Sequence, residues 1–97
     1  MSQQNDPTSM VSMPKVTFQT FILSLASSAL VQLGEVPDPT SGQKHTDKTL
    51  AEHSIGILDM LKEKTRGNLS SEEEQMLSSL LFETKMKFVK VFGNKEK

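Results

Sequence analysis

The sequence predicts an all-α fold: three helices behind a disordered N-terminal tail, completing their core by oligomerisation. Three observations carry this. Apolar residues recur every three to four positions in three separate segments. Each segment is bounded by a capping residue before it and a glycine after it. The period-2 alternation of a half-buried strand is missing throughout.

The chain has 97 residues, enough for one domain. Residues 1–15 are polar and include Pro7 and Pro14, so they bury too little apolar surface to offset their ordering entropy and read as a tail. Residues 16–93 form the helical domain, and 94–97 a frayed end. The first helix is expected from about Phe18 to Leu33, with Thr17 as N-cap and Gly34 just beyond its end. Phe18, Ile22, Leu25, Ala29 and Leu33 form its core stripe, flanked by Phe21 and Ala26 and widened by Leu23 and Leu30. Residues 34–47 are a turn-rich elbow, with Pro37 and Pro39 around Asp38 holding the residues before them extended.

The second helix is expected from Lys48 to about Thr65, capped by Asp47. Leu50, Ile57, Leu58 and Leu61 give its stripe, extended by Ala51 and Ile55. Gly56 sits mid-helix, where it costs about 1 kcal/mol against Ala; such a residue often marks close backbone approach, and otherwise is simply tolerated. Arg66 and Gly67 supply the stop. The third helix starts at a capping box, Ser70 with Glu73, and its acidic first turn Glu72–Glu74 suits the positive end of the helix dipole. It runs to about Phe92 and stops at Gly93. Leu77, Leu80, Leu81, Phe88 and Val91 make its core stripe.

The formal net charge is -1 and the basic residues are not pooled on one element, so no nucleic-acid footprint is present. There is no Cys, which excludes disulfides, thiolate metal sites and thiol catalysis, and is compatible with a reducing cytoplasm. The start of the chain lacks the features of a signal peptide, and the end carries no lipidation signal.

Residues 16–34 hold no charged side chain. Eight large apolar residues there favour bilayer insertion by roughly 0.3–0.6 kcal/mol each, about 4 kcal/mol at most, against Gln, Thr and Ser in the same stretch. Spanning would also strand two amphipathic helices without partners. A membrane-associated protein, with this helix in or on the bilayer, is therefore the second reading. The first is that the outer face, Thr20, Ser24, Ser27, Ser28 and Val31, is covered by another chain, because small uncharged residues permit close helix approach. The third helix points the same way: Phe82, Met86 and Val89 form a second apolar row well away from the core stripe. These eight residues are the candidate oligomer interface, with a homodimer favoured.

No constellation suggests catalysis, a cofactor or a metal. His45 and His53 are eight apart, unlike the i, i+4 spacing of helical metal sites. The run around Lys64, Thr65 and Gly67 lacks the order of a phosphate-binding loop. No serine stands in a nucleophile elbow. Met60, Met76 and Met86 read as gap-fillers.

The pieces "SALVQLGEVPDP" and "MLKEKTRGNL" resemble a family of small bacterial proteins known only as a domain of unknown function, number eighteen forty-four. The similarity runs from about Phe18 to Val91. Gly56 and Gln32 depart from it, where an acidic residue and a histidine are expected. The resemblance implies a helical protein with no assigned activity. It directs attention to Glu35, Asp38, Lys64, Thr65 and Asn68 as a candidate functional surface, if their two loops share one end of the bundle. The leading expectation is thus a cytoplasmic, non-enzymatic, self-associating interaction module; a small-ligand-binding or enzyme accessory subunit using Glu35, Asp38 and Lys64 is the third reading.

Overall fold

The computed structural model describes residues 15–93. The expected tail, apart from Lys15, and the expected frayed end lie outside these residues. Three helices follow one another: α1 (Phe18–Gln32), α2 (Lys48–Lys64) and α3 (Ser71–Phe92). Among the described residues there is no strand, only an isolated bridge between Leu33 and Thr46.

The ends fall where local chemistry puts them. Ser70 Oγ accepts from the Glu73 amide at 3.1 Å, and the Glu73 carboxylate accepts from the Ser70 amide at 2.9 Å, completing the expected capping box. Asp47 caps α2 through the Leu50 amide. At α1, Thr17 also forms a box, with Thr20 in the place usually held by Glu or Gln. The Thr20 hydroxyl additionally donates to the Lys15 carbonyl at 2.7 Å. Gly34 leaves α1 with φ of +75°, and a Cβ there would lie 3.0 Å from Thr46 Cγ2. The elbow thus folds back tightly enough for the Asp47 amide to reach the Gln32 carbonyl at 2.8 Å.

The helices run up, down and up. Lys62 bonds Ser78 at 3.1 Å and Lys85 pairs with Asp59 at 3.5 Å, so α2 and α3 are antiparallel. Lys87 then meets Glu35 at 3.9 Å, bringing the end of α3 back to the elbow. Each helix packs on both others. Ile22, Ala26 and Ala29 of α1, Ile55 and Leu58 of α2, and Leu77 and Leu81 of α3 form the buried core.

Four residues depart from the expected stripes. Leu50 is 49% exposed, whereas Ala51 and Ser54 are buried. The small side chains of α2 face inward because α1 comes close at this level: Ser54 Oγ bonds the Gln32 side-chain amide at 2.7 Å. With its nitrogen turned inward, that amide also donates to the Leu50 carbonyl at 3.0 Å. Val91 is 36% exposed. With 22 residues, α3 is about 33 Å long against about 25 Å for the 17 residues of α2, so its last turn outruns its neighbours. Thr84 is buried in the core row, its hydroxyl satisfied by the Leu80 carbonyl at 2.8 Å.

Candidate functional site

The apolar surface that remains in water is concentrated on two outer faces. On α3, Phe82, Met86 and Val89 are 67, 55 and 46% exposed. They point away from the core because they lie roughly 80° to 180° around the helix from Leu77, Leu81 and Thr84. Beside them α2 turns out Gly56 and the half-exposed Met60. Between the helices runs an open groove of about 330 Å³, lined by Glu52, Ile55, Gly56, Lys85, Phe88 and Val89. On its other side Gly56 borders a second open hollow, of about 400 Å³, with Asp59, Met60, Glu63 and Lys64. Nothing lies within 4 Å of where a Gly56 Cβ would stand. Among the described residues, then, nothing makes a close approach to this glycine.

The outer face of α1 holds Ser24, Ser27 and Ser28 exposed, with Thr20 and Val31 half-buried. Phe21 and Leu23, both nearly half exposed, flank it. One of its members is already engaged by this chain, since the Thr20 hydroxyl belongs to the helix start. Val31, with Ser27 and Ser28, lines an open hollow of about 250 Å³ beside Pro39.

The second group of candidates is not brought together. Glu35 and Asp38 lie in the elbow before α2, while Lys64, Thr65 and Asn68 lie at the far end of that helix, about 25 Å away. Most of these residues have structural work. Glu35 ties the elbow to α3 through Lys87. The Thr65 hydroxyl donates to the Leu61 carbonyl at 2.7 Å, satisfying the end of α2. The Asn68 amide closes the following turn on the Thr65 carbonyl at 2.8 Å. Lys64 stands at the lip of the hollow beside Gly56.

Asp38 organises the elbow. Its carboxylate accepts from the Thr40 hydroxyl and amide, and His45 Nε2 lies 3.2 Å away. The Thr40 hydroxyl, then the Thr40 amide and His45, hold the Asp38 pKa below its ordinary 3.8. A carboxylate with a depressed folded-state pKa contributes stability that is fully present above the unfolded value of about 3.9. That contribution is lost as pH falls through the folded value. Thermal melts of the parent chain and Asp38→Asn from neutral pH downward are expected to show the parent the more stable. The gap should close below about pH 4. A gap unchanged with pH would mean that the charge of Asp38 does not hold the elbow.

Among the described residues no group of three or more His, Cys, Asp or Glu is placed to hold a metal ion. His45 is at the elbow, and His53 is exposed on α2. Among the described residues, too, no helix is long and apolar enough to cross a membrane. The 15 residues of α1 span only about 22 Å against a hydrocarbon core of about 30 Å.

These features define a small three-helix module with an apolar row and groove turned outward. The chain belongs to the family described as "Domain of unknown function (DUF1844)", whose model matches residues 15–90. No curated protein and no solved structure matches it.

Proposed function

We propose that this chain is a non-enzymatic interaction module of the cytoplasm that works by binding a second copy of itself. The observation that carries this reading is the row Phe82, Met86 and Val89, exposed on the side of α3 away from the core. Burying a large apolar side chain contributes about 1.5–3 kcal/mol. Only nine apolar residues of the described chain are fully or nearly buried, so three more turned outward are a large unclaimed driving force. They lie on one continuous helical face beside a groove, unlike singly scattered surface apolars. The α1 face supports the same reading less strongly, because the Thr20 hydroxyl is engaged in the helix start and Val31 is half-buried.

Sedimentation equilibrium on the full-length chain, without detergent and over about a hundredfold concentration range, tests this. The expected result is a species of twice the 10.8 kDa chain mass that dissociates on dilution. A single monomeric mass throughout would overturn self-association.

A further inference from the structure

We propose that the α2–α3 groove is the seam of this self-association, and that the Gly56 notch of each copy receives Phe82 of the other. The inference rests on the reading above and adds the place and register of the contact.

A glycine in mid-helix weakens the helix, and here no neighbour among the described residues occupies the space it leaves. The groove beside it, about 330 Å³, is lined on its apolar side by Ile55, Phe88 and Val89. An enclosed volume of about 150 Å³ already accepts a benzene ring, so an aromatic side chain fits. Phe82 is the most exposed aromatic residue of the described chain. It cannot fill its own notch. Gly56 is level with Phe88 and Val89 across the groove, and Phe82 lies six or seven residues earlier, about 10 Å along α3.

Three observations select a second copy as the occupant. The first is that knob and notch occur on one face of one chain. A two-fold axis lying in the seam, midway between Phe82 and Gly56, carries each onto the other's partner and fills both notches at once. The second is charge. Asp59 and Lys85, paired at 3.5 Å within each copy, lie at the level midway between Phe82 and Gly56, so the two-fold brings two acidic and two basic groups together and leaves no net charge at the seam. The third is area. Phe82, Met86, Val89 and Met60 together leave on the order of 400 Å² of apolar surface in water. Two copies with their polar rims reach the roughly 1,200 Å² at which specific interfaces begin.

Full-length chains carrying Gly56→Leu, Phe82→Ala and both changes test this by sedimentation equilibrium, with thermal melts at dilutions where the chain is monomeric. Gly56→Leu is expected to raise the monomer's Tm, since it improves the helix and meets no neighbour. The same change should weaken the dimer by about tenfold or more, because it fills the notch. The double variant should lose little more than the worse single variant, since both changes act at one contact. A parent chain that is monomeric would overturn self-association and this inference together. A dimeric parent with Gly56→Leu equally dimeric would overturn the notch alone. Fully additive losses in the double variant would overturn the Phe82–Gly56 register, and a lowered monomer Tm in Gly56→Leu would show the space to be used within the chain.

Discussion

Replacing Leu58 with Ala is expected to remove about 3 kcal/mol of folding stability. Leu58 is fully buried at the middle of α2, within the cluster built from Ile22, Ala26, Ala29, Leu77 and Leu81. Its loss removes transfer free energy and leaves a cavity that three helices, each packed on the other two, close only in part. A domain of this size has a total stability of roughly 5–10 kcal/mol. The change therefore consumes a large share of it and should lower the Tm by about 12–24 °C. Leu50→Ala is the matched control, because Leu50 is the same residue type two turns earlier and is 49% exposed. Its effect should stay within about 0.5 kcal/mol. Urea denaturation followed by helical circular dichroism reads both. Equal losses at the two positions would mean that α2 is rotated to bury Leu50, and the core described above would be wrong.

Phe82→Glu is the counterpart on the outside. It places a charge on the most exposed aromatic residue of the described chain, so the monomer's stability should change by no more than about 0.5 kcal/mol. Association should weaken by about 2–4 kcal/mol, a factor of roughly 30 to 1,000 in Kd, because a buried seam cannot hold an unpaired carboxylate. Sedimentation equilibrium measures the second quantity and melts at high dilution the first. If Phe82→Glu instead unfolds the monomer as Leu58→Ala does, the outer row of α3 is an irregular edge of the core and no seam.

The two substitutions together separate what holds the chain folded from what it offers to a partner. That separation follows from rotation of the helices about their own axes. Helix boundaries were legible in the residues because capping is local. Thr17, Asp47 and Ser70 each bond a backbone amide three residues on, and Gly34, Gly67 and Gly93 take the positive φ that a helix stop favours. The outer row of α3 was legible for a related reason: Phe82, Met86 and Val89 lie too far around the helix from Leu77 and Leu81 for one contact surface to cover both.

The inward face of α2 was not legible in this way. The apolar period puts Leu50 in the stripe, extended by Ala51, and gives no sign of the polar Ser54. The fold buries Ala51 and Ser54 and leaves Leu50 half exposed, with Gln32 of α1 reaching across to bond Ser54. The candidate residues of the two loops behaved likewise. Glu35 and Asp38 are near Lys64 and Thr65 in chain order only across the whole of α2, which holds the two groups at opposite ends. Their work, an ion pair to α3, an elbow built on Thr40 and His45, and a helix-end hydrogen bond, depends on neighbours that spacing does not name.

By itself, then, the sequence determined the class, the number of helices and their ends, since capping, turn glycines and hydrophobic period act over a few residues. Only the tertiary structure decided which side of α2 is the core, that Gly56 is open on its outer side, and that Phe82 stands well along α3 from that opening. These depend on how close helices approach and how far each is rotated. Side chains from all three helices settle those quantities jointly, and no single stretch of sequence contains them.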